Sequence, residues 1–348
     1  RLFARLARLA LPHDDSLQKN GPLLDSSIAS LPALDIVVDE FELAGRNLGR
    51  LEVQAVNRPS PQAADQREWQ LSKFNMTMPE ATLTANGRWT LRRRTGALAA
   101  SLVEREKKTE LNFRLDIQDT GRLLQRFGMA DVIRNGKGRV DGQIEWPGTP
   151  FSPDYASMHG LLQMNIGSGQ FLKAEPGVAK LLSVLSLQSL PRRLSLDFRD
   201  VFSKGFAFDF VRGDVRLKQG MATTNNLQMK GVNAAVLMEG QVDLVAETQS
   251  LHVVVVPEIN AMTASLVATA INPLIGLGSF LAQAFLRGPL MAAATQEFHI
   301  KGSWVDPQVT KLAKRGFEPR SNVTREDEID NLVNSQSMEK NSSAASFQ

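Results

Sequence analysis

Leu111–Ile117 reads LNFRLDI, and its side chains alternate without a fault. Leu111, Phe113, Leu115 and Ile117 face one way, while Asn112, Arg114 and Asp116 face the other. Successive side chains of a strand point to opposite faces, so a period of two predicts a strand with one apolar and one polar side. The same pattern extends upstream. Leu34, Ile36 and Val38 alternate with Asp35 and Val37; Leu51, Val53 and Ala55 follow a turn at Asn47-Leu48-Gly49. WQLSKFNMTMP and ATLTANGRWTL then flank a turn at Met78-Pro79-Glu80. One-sided strands joined by short turns predict an antiparallel β-meander.

Downstream the alternation is interrupted and resumed. Asp119–Gly128 predicts a short helix, with Asp119 or Thr120 as its cap and Gly128 as its stop. Val140, Ile144 and Trp146 share one side of the next strand, and Leu162, Met164 and Ile166 one side of the strand after it. Pro176 opens a helix over about 176–190, whose Val178, Leu181, Leu182 and Leu185 form one stripe. Phe206, Phe208 and Phe210 are predicted on one face, with a change of phase at Gly213 towards Val215 and Leu217. Val236 and Met238 keep one phase, and Leu251–Val256 is a continuous apolar run suited to burial on both faces. A last strand follows at Gln296–Trp304, with Phe298, Ile300 and Trp304 on one side.

One stretch breaks the period of two. Pro257–Leu286 has no charged side chain after Glu258, yet Pro273, Gly276 and Gly278 sit in its middle and argue against a single span. It is read as an apolar helical pair, about 260–271 and 274–286, broken at Asn272-Pro273. The pair has three places to go: onto a sheet, across the end of one, or against lipid. At the other end of the chain, residues 1–11 set Arg against Leu and Ala at near-helical spacing, a basic amphipathic segment read as a solvated helix. The expected divisions are 1–32, this segment and a linker; 33–158, strands; 159–307, strands with helices at about 176–190 and 260–286; and 308–348, a polar disordered tail.

Composition excludes several function classes. The 348 residues carry a net charge of only +3, and no concentrated basic face for a phosphate backbone. Aromatic and basic residues interleave only near Arg88-Trp89 and Arg92–Arg94. Without cysteine there are no disulfides or thiolate metal sites. His13, His159, His252 and His299 lie far apart with no ligand-spaced partner, so no metal or cofactor is expected. Gly136-Lys137-Gly138 and Gly167-Ser168-Gly169 lack the rest of a phosphate loop and are read as hairpin turns. No group of titratable side chains converges as catalysis requires, and the chain is not expected to be an enzyme. It opens on Arg1 without a signal-peptide layout, and is expected to be a piece of a longer protein whose membrane anchor lies upstream.

From Gly160 to Pro307 a resemblance emerges. GLLQMNIGSGQFLKAEPGVAKLLSVLSLQSL and RRLSLDFRDVFSKGFAFDFVRGDVRLKQG resemble the carboxy-terminal region of the AsmA-like family, in its YhdP branch. MEGQVDLVAETQSLHVVVVPEINA, AINPLIGLGSFLAQ and FHIKGSWVDP are similar to that branch's closing segments, and LGRLEVQA with WQLSKFNMTMPEATLTANGRW fits its repeated strands. The resemblance implies a bridge-like lipid transfer protein: an elongated, curled antiparallel sheet forming a β-groove, anchored in the inner membrane and crossing the periplasm of the Gram-negative envelope. Phospholipid acyl chains are then the implied cargo, the outer membrane or one of its proteins the implied partner, and the chain a monomer at the outer-membrane-proximal end.

An apolar sheet face without enough helix to cover it supports the same reading, because a large uncovered apolar surface needs a ligand or partner. Leu111, Phe113, Leu115, Phe206, Phe208 and Phe210 are the expected lipid-binding face. Leu266, Ile271, Pro273, Leu274 and Ile275, with Leu277, Phe280, Leu281 and Phe285, are the expected membrane contact or groove cap. The alternative is a periplasmic scaffold or outer-membrane assembly factor with a closed hydrophobic core.

Overall fold

The computed structural model describes residues 1–11, 31–60, 63–93, 105–150, 153–172, 206–232, 234–258, 268, 276–286 and 295–312. Its strands are β1 (Leu2–Leu11), β2 (Leu34–Leu43), β3 (Arg46–Ser60), β4 (Ala63–Thr77), β5 (Ala81–Arg93) and β6 (Arg105–Ile117). After helix α1 (Thr120–Arg126) come β7 (Ile133–Asn135), β8 (Gly138–Pro147), β9 (His159–Ile166) and β10 (Gly169–Phe171). Then follow β11 (Phe206–Lys218), β12 (Met221–Gly231), β13 (Ala234–Asp243) and β14 (Thr248–Pro257). Helix α2 (Leu277–Leu286) precedes β15 (Gln296–Ser303) and β16 (Pro307–Lys311).

All sixteen strands belong to one sheet; fourteen follow the order β1-β2-β3-β4-β5-β6-β8-β9-β11-β12-β13-β14-β15-β16, and off that path β10 pairs with β11 and with β7. Chain order and spatial order nearly coincide, as short turns between antiparallel neighbours dictate. No pairing among the described residues joins β1 to β16, so the sheet is not closed into a barrel. The sheet is mixed, because β1 runs parallel to β2. It passes without a break across the division expected at residues 158 and 159. β16 extends into the region expected to begin the polar tail.

Two expectations are corrected. Residues 1–11 form a strand, not a helix: Arg5 reaches Asp35 at 2.9 Å and Arg8 reaches Glu42 at 2.6 Å, and tertiary pairing overrides a weak local pattern. Gly136-Lys137 and Gly167-Ser168 are not hairpin turns either. β7 leads straight on into β8 and β9 into β10, and the two interrupted strands lie antiparallel, β7 on β10 and β8 on β9. Asn135 and Gly136 take the left-handed conformation, φ 60° and 91°, which jogs the chain without reversing it. Of the apolar helical pair, α2 is described and Ala268, within the first expected helix, is helical; residues 259–267 and 269–275 lie outside the described residues, as does the helix expected at 176–190.

The sequence-predicted helix after β6 is α1. Asp119 caps it by accepting a hydrogen bond from the Arg122 backbone N–H at 3.0 Å, and Gly128 follows it with φ 86°.

Candidate functional site

The register places two apolar rows side by side on one face. The first runs Ile36, Val53, Phe74, Ala85, Phe113, Gly142, Leu162 and Val215, one residue from each of β2, β3, β4, β5, β6, β8, β9 and β11. The second runs Val38, Leu51, Met76, Leu83, Leu115, Val140, Met164 and Gly213 across the same strands. At a strand spacing of about 4.8 Å these eight strands span roughly 34 Å. The apolar cluster continues on the same face through Met229, Val236, Val253 and Phe298 to Val309 on β16.

Burial along these strands is uneven. Ile36, Val53, Phe74, Leu83, Phe113, Leu115, Val140, Leu162, Met164 and Val215 are only half-buried, so a belt through the middle of the face is partly open. The strand ends on either side of it are closed. At one end Trp69, Trp89 and Trp146 are buried, with the Trp69 indole donating to the Pro32 carbonyl at 3.2 Å and that of Trp146 to Thr149 at 2.9 Å. Those bonds tie the crossing segments, residues 31–32 and 148–150, over the tryptophans.

At the other end α1 lies over the turns. Leu123 packs with Phe41, Met78 and Ile117, and Arg126 pairs with Glu80 and donates to the Asn47 carbonyl. Helix and two hairpin turns are thereby clasped together. Glycines thin the belt where β8 crosses it: a Cβ at Gly142 would overlap the Phe113 ring, which lies over that position.

The opposite face over β2–β9 is polar and self-neutralised. Lys73 pairs with Glu52 at 2.6 Å, Arg88 with Glu110 at 2.6 Å, Arg114 with Asp141 at 2.7 Å and Arg139 with Asp116 at 2.7 Å. Hydrogen bonds from Lys73 and then Arg50 hold the Glu52 carboxyl below its ordinary pKa. Burial pushes Glu110 up, but hydrogen bonds from Lys108 and Arg88 outweigh it and the net displacement is downward. No helix among the described residues is long and apolar enough to cross a membrane, and no group of three or more acidic or histidine side chains among them is arranged to hold a metal ion.

The predicted face residues separate. Leu111, Phe113 and Leu115 lie on the apolar face and are half-buried. Phe208 is on that face too, but buried, its ring 5.1 Å from that of Phe171. Phe210 is not. Phe208 pairs with Gly231 and Phe210 with Lys230, so Asp209 is an extra residue in β11 and the phase changes there; a second register shift, between Arg212 and Arg216, brackets Gly213. Phe210 consequently stands on the polar face, with the Arg212 guanidinium 4.2 Å from its ring centre. The Phe206 side chain lies outside the described residues.

Of the expected membrane contact or groove cap, the structure places Leu277, Phe280 and Leu281. Leu277 and Phe280 are fully buried against Ala235, Leu237, Val254 and Val256, with Leu281 packed beside them. Those β13 and β14 residues alternate with Val236, Val253 and Val255 of the main apolar cluster, so α2 covers the reverse side of the sheet. It neither caps the belt nor presents Leu277 and Phe280 to lipid. Leu266, Ile271, Pro273, Leu274 and Ile275 lie outside the described residues, as does the side chain of Phe285. The tryptophan rim was in phase with its strands in the sequence, but only the register shows Trp69 opposite Trp89.

The described strands thus form one large sheet, not closed into a barrel, with an ion-paired polar face and an apolar face that is half-buried between its strand ends. The chain belongs to the YhdP protein family, which matches residues 1–309. It is similar to the intermembrane phospholipid transporter YhdP of Escherichia coli (strain K12), with 33% identity over 211 residues, 60% of this chain and 17% of that protein. The chain therefore spans a small part of the length of this relative. No solved structure matches it.

Proposed function

We propose that the chain is a stretch of a non-catalytic conduit for phospholipid, with acyl chains lying on the half-open apolar belt. In this reading it is a periplasmic, monomeric part of an inner-membrane-anchored protein, at the end nearest the outer membrane or an outer-membrane protein. The observation that carries the proposal is the belt itself. A dry core would bury Phe113, Leu115 and Leu162 as thoroughly as it buries Val253, yet they remain only half-buried in two adjacent rows that cross eight strands. Apolar surface of that extent is stable in water only when something apolar lies on it.

The dimensions agree. From Leu111 to Leu115 along β6 is roughly 14 Å at about 3.4 Å per residue. One acyl tail contributes about 15 Å to a bilayer core. Tails need no polar partner, which fits a belt whose side chains offer none. The activity in the relative's name and the likeness of residues 160–307 to the family's closing segments give the same direction.

Purification followed by lipid extraction and mass spectrometry tests the reading. Phospholipid is expected to accompany the chain, to be lost from the double variant Leu115→Asp and Leu162→Asp, and to be retained by Gln163→Asp on the opposite face. Circular dichroism checks folding. Equal lipid in the two variants, or none in the unsubstituted chain, contradicts the proposal and favours a closed-core scaffold.

A further inference from the structure

The polar face carries a hollow of about 650 Å³ whose polar side chains the lipid reading leaves unused. It is lined from β4, β5, β6, β8 and β9, five adjacent strands that span about 19 Å. Five carboxamides stand in its walls, Asn75, Asn86, Asn112, Gln143 and Gln163, and Phe74, Ala85, Phe113 and Gly142 of the first apolar row also line it. Leu161, 40% exposed, supplies an apolar contact among them.

The charged side chains of the wall are already satisfied. Arg114 holds Asp141 at 2.7 Å and Lys73 holds Glu52 at 2.6 Å, so the hollow has little net charge with which to select a phosphate or a carboxylate. The amides are not so occupied. Among the described residues Gln143 and Gln163 make no side-chain hydrogen bond; Asn112 donates only a long one, 3.4 Å, to Asn86. Asn75 keeps a buried side-chain oxygen with no donor, which a turn of the amide would bring to a ligand.

We propose that this hollow binds an uncharged oligosaccharide. Each carboxamide presents a donor and an acceptor side by side, the complement of a hydroxyl or acetamido group that does both. A ligand on the face of a sheet meets only side chains, because the backbone groups are spent in the ladder, so the amide array decides what binds. Acyl chains would leave these amides unpaired, and an anion would find no free cation. The side chains are borne on paired strands rather than loops, which spares a ligand the cost of ordering them.

Isothermal titration calorimetry on the whole chain, with N-acetylglucosamine tetrasaccharide and maltotetraose as probes, tests the proposal. At least one is expected to bind with a dissociation constant of about 1 mM or tighter. The double variant Gln143→Ala and Gln163→Ala is expected to weaken it by about tenfold or more. These exposed side chains hold no partner, so the fold is expected to be unchanged by circular dichroism. Leu115→Asp, on the other face, should leave saccharide affinity intact, which separates this site from the lipid belt. Absence of binding by both saccharides overturns the proposal, as does affinity undiminished in the glutamine variant.

Discussion

Removal of the Phe280 ring tests whether α2 is part of the fold or a detachable membrane contact. Phe280 has 0% exposure and packs on Leu237, Val254 and Val256 of the reverse face. Truncation to alanine loses the transfer free energy of the ring and leaves a cavity that rigid strands cannot collapse to fill, together about 3–5 kcal/mol. For a chain of this size each kcal/mol lowers the midpoint by about 2 °C, so Phe280→Ala should melt about 6–10 °C below the unsubstituted chain. Thermal unfolding followed by circular dichroism at 218 nm, a wavelength at which β-sheet absorbs, reads the shift directly. Ser279→Ala, on the exposed side of the same helix, is the control and should change the midpoint little. An unchanged midpoint for Phe280→Ala, accompanied by lost association with phospholipid vesicles, would refute the packing argument and restore the membrane-contact reading.

Two further predictions concern the polar groups that close and line the sheet. Arg126→Ala leaves Glu80, whose side chain is only 4% exposed, buried without its cation; a loss of about 3–5 kcal/mol is expected in urea unfolding, largely recovered by the double variant with Glu80→Leu. Glu110 titrates below its ordinary range in the folded chain, so the unfolded chain takes up its proton first as the pH falls. Its stabilising contribution is therefore complete above the ordinary carboxylate pKa and fades below about pH 4; Glu110→Gln should flatten that acid limb in a pH series of unfolding midpoints.

The one-sided strands were legible because a period of two is a local property. LNFRLDI fixes which side of β6 is apolar without reference to any neighbour, and the same holds for Leu51, Val53 and Ala55. The four valines Val253–Val256 likewise announced burial on both faces. What covers the second face was not legible, because the apolarity of residues 257–286 does not say which side of a sheet a helix chooses.

Phe210 shows the other limit. FAFDF looks like unbroken alternation, but β11 holds one residue more than β12 opposite Gly231 and Lys230, and that mismatch exists only in the pairing. The Arg-rich opening residues misled for the same reason: Asp35 and Glu42, thirty or more residues away in the sequence, decide their conformation.

Photo-crosslinking in cells tests the central claim most directly. A photoreactive side chain is placed in turn at Phe113, Leu115 and Leu162 on the belt, and at Asn112, Arg114 and Gln163 on the reverse face. Phospholipid adducts at the first three positions and none at the others are the predicted result. Adducts distributed equally over both faces, or absent from the belt of a folded and functional chain, would contradict the account.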